Sequence, residues 1–262
     1  MKIAVCIKEV PASGEVSVDP AAHRIQRSSG ASAVNQADLN ALTEAVKIKT
    51  DTHGEIDVFT MGPESAKSAL FTALAMGADR AFLICDPVFA GSDALATAKI
   101  LASALSITDS YDLILCGALS SDGSTGEVGP MMAQLLSVPS ISEAEGLREQ
   151  DGYVEAYKSW NGKRAHLRMS MPGLITIALG SNMPILPTLR NRMKARKETI
   201  HKITNADLKL EPSSIGLQGA KSLVEDTYMK EIGTKHAVML CGDTSSVADQ
   251  ILALLRKAGE QG

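Results

Sequence analysis

The chain has 262 residues, 45% of them hydrophobic and 21% charged, with a formal net charge of −4 at pH 7. That length supports a sizeable core, in one large domain or one domain with appendages, and the acidic balance argues against nucleic acid as the main partner, because phosphate-backbone binders carry a basic excess. No run approaches the roughly 18 apolar residues of a membrane span, and the opening "MKIAVCI" is too short for a signal peptide with its cleavage site, so no membrane partner is expected and a cytoplasmic protein is.

Four short apolar runs, "KIAVCI", "EIDVFTMG", "RAFLICD" and "YDLILCG", are of strand length and bounded by Gly, Asp or Pro, as buried parallel strands tend to be. Helical patterns lie between them. In "PESAKSALFTALAMG" the residues Ala66, Ala69, Leu70, Ala73 and Leu74 share one face, and Gly77 can end the helix. After "AGSD", Leu95, Ala98, Leu101, Ala102 and Leu105 do the same. Alternating strand and helix through residue 137 predicts an α/β domain with a parallel sheet.

The stretch "CGALSSDGSTGEVGP", residues 116–130, breaks this rhythm with four Gly and a set of Ser and Thr hydroxyls. Val128, Met131, Met132 and Leu135 then resume a helical spacing, and Ser124 with Glu127 fits the S-x-x-E capping box. The stretch is therefore a strand-to-helix turn, where backbone N–H groups face anions. It matches neither G-x-G-x-x-G nor G-x-x-x-x-G-K-[ST], so a phosphate site and a close-packed turn both remain open readings. The loop "FAGSDALAT" (89–97) has the same character and adds weight to a phosphate-bearing ligand.

Beyond residue 150 the pattern changes. "YVEAYKSWNGKRAHLRMSMPGLITIAL" alternates like strands around Asn161-Gly162, which predicts an antiparallel hairpin followed by a core strand. "GEVSVDPAAHRIQRS" has a similar hairpin character, and Trp160 is expected to pack. From Met183, two prolines and the basic cluster Arg190, Arg192, Lys194, Arg196 and Lys197 predict an extended arm. Leu189 and Met193 within the cluster point to protein docking in preference to RNA, since no aromatic residues interleave. "SSIGLQGAKSLVEDTYM" has little pattern, and Val247, Ile251, Leu254 and Leu255 predict a last amphipathic helix.

Cys6, Cys85, Cys116 and Cys241 have no metal-ligand spacing and are expected to be small hydrophobes; the five histidines are scattered. No nucleophile with a base, paired carboxylates or metal set stands out. That favours a cofactor carrier, in which the bound group supplies the chemistry.

"MKIAVCIKEVP", "NQADLNALTEAVKIK" (35–49), "TMGPESAKSALFTALAMGADRAFL" (60–83), "DGSTGEVGP" (122–130) and "LPTLRNRMKARK" (186–197) together resemble the β subunit of electron transfer flavoproteins, in the family's order along nearly the whole chain. Asn161, Gly162 and Lys163 stand where members usually carry acidic residues, and "PASGEV" replaces the more usual "PDT-E-". The resemblance implies a Rossmann-like (adenine nucleotide α-hydrolase-like) α/β fold, with an added antiparallel hairpin and a C-terminal arm. Residues 1–182 would form the nucleotide-binding domain, and residues 183–262 the recognition loop, arm and helix that pack on an α subunit. The β subunit of this family holds AMP in simple carriers and FAD in electron-bifurcating members.

Carried over residue by residue, the resemblance implies that Cys6 and Asn35 to Asp38 surround adenine and ribose, with Met61 at the next strand end. Gly117, Ala118, Ser121, Asp122, Gly123, Ser124, Thr125, Gly126 and Val128 would form the pocket wall and phosphate cradle. Asp93, Ala94 and Thr97 would extend the site toward a pyrophosphate. Leu189, Arg190, Asn191 and Met193 would meet a flavin-dependent dehydrogenase at the 186–197 loop. "MGADRAFLICDPVFAGSDALATA" and the tail resemble the bifurcating group, the tail departing at Ala220-Lys221 where that pattern has Ser-Pro. The expectation is thus FAD, with NAD(H) and ferredoxin as further electron partners. The alternatives are a non-bifurcating subunit with structural AMP and, from another class, a nucleotide-sensing regulatory module.

Overall fold

The computed structural model describes residues 1–12, 17–19, 24–26, 32–223 and 239–259, with backbone alone at 17–19, 24–26 and 257–259. In chain order the first elements are β1 (Lys2–Cys6), β2 (Glu9–Pro11), β3 (Ser17–Asp19), β4 (Arg24–Gln26), β5 (Ser32–Val34) and α1 (Gln36–Thr52). The parallel domain continues with β6 (Glu55–Met61), α2 (Lys67–Met76), β7 (Arg80–Ile84), α3 (Ala94–Thr108), β8 (Leu113–Gly117) and α4 (Val128–Leu136). Then follow β9 (Ser140–Ala144), β10 (Gly146–Gln150), β11 (Tyr153–Trp160), β12 (Lys163–Ser170) and β13 (Gly173–Ile177). The last elements are α5 (Leu189–Ala195), β14 (Ile200–Ile203), α6 (Asn205–Leu208), α7 (Gly216–Gly219) and α8 (Thr244–Gly259).

Seven strands form one parallel sheet in the order β14-β7-β6-β1-β8-β13-β9. Its central strands are apolar on both faces because both are covered. Ile3 and Val5 of β1 join one core layer with Leu42 of α1 and Leu70 of α2, while Ala4 and Cys6 join the opposite layer with Ile100 of α3 and Met132 of α4. Helices end where the sequence allows. Gly77 closes α2 at φ 132°, and Asp93 caps α3 by accepting a 2.8 Å hydrogen bond from the Ala96 N–H.

The hairpin β11–β12 turns at Asn161 (φ 50°) and Gly162 (φ 70°), the left-handed pair that a two-residue turn requires. With β10 it makes a three-stranded antiparallel sheet whose inner face, Val154, Ala156 and Met169, closes over the first core layer. Trp160 departs from its expected packing: at the hairpin tip it is 68% exposed. The run read as an extended arm also departs, because α5 folds within it and Ile200–Ile203 joins the parallel sheet beside β7. Ile203 points into the core there while His201 and Lys202 stay exposed, which a sheet edge tolerates.

Met1–Glu225 forms one compact unit and Asp226–Gly262 another. Within the second, α8 carries the predicted helix. Cys241 lies exposed, unlike the buried Cys6 and Cys116, so it is not a core residue. Of the hairpin-like segment 14–28, β3 and β4 pair antiparallel and the remainder lies outside the described residues.

Candidate functional site

The carboxyl ends of β1, β6, β8 and β13 share one edge of the sheet, where open α/β folds bind ligands. Cys6 of β1 and Cys116 of β8 are register partners, both buried. Desolvation, followed by the nearby Asp38 charge, pushes the Cys6 thiol up to about 12; Cys116 is also raised, by desolvation and then by Cys6. Neither is a nucleophile at neutral pH; they form an apolar floor.

The first turn of α1 closes onto these strand ends. Asp38, buried, accepts from the Lys8 N–H through Oδ2 (2.7 Å) and from the Gly117 N–H through Oδ1 (2.9 Å). Burial pushes its carboxyl from an ordinary 3.8 up to about 7, against the opposing pull of those hydrogen bonds. Asn35 does not cap α1 with its side chain. Its Nδ2 instead donates to the Leu119 carbonyl (2.9 Å) and its Oδ1 accepts from the Ser121 N–H (3.2 Å). A cap on α1 is exchanged for a hold on the loop after β8.

That loop, 118–127, is fixed at its base and open at its crest. Ala118 donates its N–H to the Ile177 carbonyl (2.8 Å), and Asp122 turns inward to pair with Lys8 Nζ at 2.7 Å. Ser121, Gly123, Ser124, Thr125 and Gly126 are exposed. Ser124 (φ 50°) and Gly126 (φ 67°) lie in the left-handed region on either side of Thr125, and such alternations turn N–H groups into one concavity.

The predicted capping box is absent. An N-cap needs extended backbone, whereas Ser124 is left-handed and sends both its N–H and its hydroxyl to the Ser120 carbonyl. Helix α4 starts later, at Val128, and no side chain caps its first turn. Its amino end, with the crest, is suited to an anion.

These elements bring Cys6, Asn35, Asp38, Gly117, Ala118, Ser121 and Asp122 together. Met61, half-buried, ends β6, and half-buried Val128 packs on the second core layer. Asp93, Ala94 and Thr97 belong to the amino end of α3, after β7, which is separated from β8 by β6 and β1. Asp93 engages its own chain: Oδ2 accepts from the Lys221 (2.6 Å) and Ser222 (3.0 Å) N–H groups. The sequence does not single out Lys8, whose Nζ holds Asp122. The signal for Lys8 is a lone cation directly after a buried strand at the ligand edge.

The arrangement offers backbone N–H groups, hydroxyls and an apolar floor, which bind and orient. No group of three or more His, Cys, Asp or Glu suited to a metal exists among the described residues. The electron transfer flavoprotein domain model matches residues 23–208. The electron transfer flavoprotein subunit beta of Megasphaera elsdenii is 33% identical over 97% of this chain and 98% of its own length. The caffeyl-CoA reductase-Etf complex subunit CarD of Acetobacterium woodii is 33% identical over 86% of each chain. The chain belongs to the electron transfer flavoprotein β-subunit family. The acryloyl-CoA reductase electron transfer subunit gamma of Anaerotignum propionicum is similarly close, 32% identical over 98% of this chain and 99% of its own.

Family membership favours the electron-carrier reading over the regulatory module and directs attention to α5. Thr188 caps that helix, accepting from the Asn191 N–H at 3.2 Å, and Ala195 anchors it in the core. Leu189 is 75% and Met193 61% exposed, among the exposed Arg190, Asn191 and Lys194. Leu189, Arg190, Met193, Lys194 and Lys197 line a shallow groove of about 440 Å³. No helix among the described residues is long and apolar enough to cross a membrane.

Proposed function

We propose that this electron transfer subunit pairs with an α subunit, holds FAD along the carboxyl edge of its sheet, and serves a bifurcating complex. NADH would donate electrons, and ferredoxin and a flavin-dependent dehydrogenase docking at 186–197 would receive them. When bound, FAD supplies the two-electron and one-electron chemistry. The protein binds and orients it. The apolar floor of Cys6 and Cys116 suits an adenine ring, the 118–127 crest and the amino end of α4 suit phosphate, and the buried Asp38 clasp holds α1 against the loop.

The observation that carries this reading is the span of the edge. Ala94 and Thr97 follow β7 while the 118–127 loop follows β8, three strand spacings away, or roughly 14 Å. A dinucleotide covers that distance better than a mononucleotide does. The caffeyl-CoA and acryloyl-CoA reductase relatives support service to an acyl-CoA-linked dehydrogenase.

One observation favours the alternative, a simple carrier with structural AMP. The Asp93 carboxylate stands at the amino end of α3 and is engaged by Lys221 and Ser222, which opposes a pyrophosphate there. Co-expression with the α subunit, denaturing release and quantification of nucleotides decide between them. Two FAD and no AMP per heterodimer are expected, whereas one FAD with one AMP refutes the bifurcating reading.

A further inference from the structure

Helix α1 carries two polar sets. Asn35 and Asp38 at its start grip the strand ends and the ligand loop. One turn on, Asn40, Thr43 and Glu44 are all buried, although a helix packed against a sheet normally buries apolar residues there. Thr43 Oγ1 donates to the Leu39 carbonyl and Glu44 pairs with Lys47 within the helix, and the remaining partners lie in one short segment, 180–185. Asn40 Oδ1 accepts from the Gly180 N–H (3.0 Å), and Asn40 Nδ2 donates to the carbonyl (2.7 Å) and Oδ1 (2.8 Å) of Asn182. Asn182 Nδ2 returns to the Asn40 carbonyl (3.1 Å) and to Glu44 Oε1 (2.7 Å). Thr43 Oγ1 accepts from the Ile185 N–H (3.2 Å).

This clasp sits between two functional ends. Upstream, β13 finishes at Ile177, whose carbonyl accepts from Ala118 in the ligand loop. Downstream, three residues separate Ile185 from α5, whose cap is Thr188. A well-satisfied buried network has one low-energy arrangement, so a segment tied to it follows the helix that carries it. We infer that α1 couples occupancy of the nucleotide site to presentation of the docking helix α5, with Asn40 and Asn182 as the positioning residues. The inference rests on the nucleotide reading of the site. A ligand lodged against Asn35 and the 117–128 loop immobilises the start of α1, and the clasp passes that loss of motion to residues 180–185 and on to α5.

Amide hydrogen exchange of the peptide 186–197 in the full-length chain, without nucleotide and with saturating AMP or FAD, tests this. Either nucleotide is expected to slow exchange there by about threefold or more. In Asn182→Ala the nucleotide affinity stays within about twofold while that slowing disappears. Thr43→Val, which keeps the shape and removes the acceptor for Ile185, is expected to reduce the slowing and guards against a misfolded Asn182 variant. Nucleotide binding with unchanged exchange in the wild type overturns the coupling and leaves the site intact. Slowing that persists in both variants overturns the clasp as its route. Absence of binding by both nucleotides overturns the reading of the site and the coupling with it.

Discussion

Gly117→Ala tests the close approach on which the site is built. A Cβ at 117 would collide with Asp38 Oδ1 and lie 2.7 Å from Ala37 Cβ and 2.8 Å from the Ala37 carbonyl carbon. Two of these atoms belong to the body of α1, so the helix has to move, and the 2.9 Å bond from Gly117 N–H to Asp38 lengthens. Overpacking a filled interior costs about 1–3 kcal/mol, and weakening a hydrogen bond to a buried carboxylate about 1.5–3 kcal/mol. The two are coupled, so about 3 kcal/mol is expected near pH 8, seen in urea unfolding as a midpoint lower by about 1–2 M. Because Asn35 and Asp38 hang the ligand loop from the same turn, nucleotide should no longer co-purify. Gly123→Ala is the control: its Cβ would meet only Ser120 Oγ, at 3.4 Å, and Lys8 Nζ, at 3.9 Å, with little strain, and stability should stay within about 0.5 kcal/mol. A Gly117→Ala protein as stable as wild type and still carrying nucleotide would refute the close-approach argument.

Asp38 also sets a pH dependence. Its carboxyl titrates near 7 in the folded chain and near 3.8 unfolded, so its stabilising contribution is full below about pH 4 and is lost as pH rises through about 7. Asp38→Asn should flatten that fall in urea melts taken across pH 4–8; an unchanged slope would assign it to other groups. Tyr111 Oη donates to the buried Asp57 Oδ2 at 2.6 Å, and Arg80 grips the same carboxylate at the opposite edge of the sheet. Tyr111→Phe should cost about 1.5–3 kcal/mol in urea melts while nucleotide content, measured after denaturing release, stays unchanged. Leu189→Ala trims an exposed apolar side chain and, on the docking proposed at 186–197, should weaken dehydrogenase-coupled electron transfer by about tenfold or more with stability and nucleotide content intact. Loss of nucleotide together with coupling would make that residue structural.

The parts of this fold legible in the sequence are those fixed by local physics. β1, β6, β7 and β8 show as apolar runs because both sheet faces are covered, and Asn161-Gly162 marks the hairpin because few other pairs accept two positive φ values. Elements that depend on a distant neighbour were harder to see. Ile200–Ile203 looks like part of a basic arm until β7 pairs with it, and Ser124 looks like a cap until the loop turns left-handed and directs its hydroxyl to Ser120. The same division runs through the site. The Gly/Ser turn at 116–130 stands out by composition, as either a phosphate site or a close-packed turn, yet what holds it in place is long-range: Lys8 on Asp122, Asn35 on Leu119 and Ser121, Asp38 on Gly117. None has a spacing rule, because each links residues 79 or more positions apart. Asp93 carries the same lesson in the other direction. Its loop was legible as a helix start, but its second carboxylate oxygen faces Lys221 and Ser222, so whether a pyrophosphate can lie there depends on a tail segment more than a hundred residues away. If FAD is retained at this edge, that tail must give up its hold on Asp93 or be the surface against which the ligand rests. Replacing Asp93 by Asn keeps its size and removes its charge. It should strengthen FAD retention in the first case and leave it unchanged in the second, with FAD released per heterodimer as the readout.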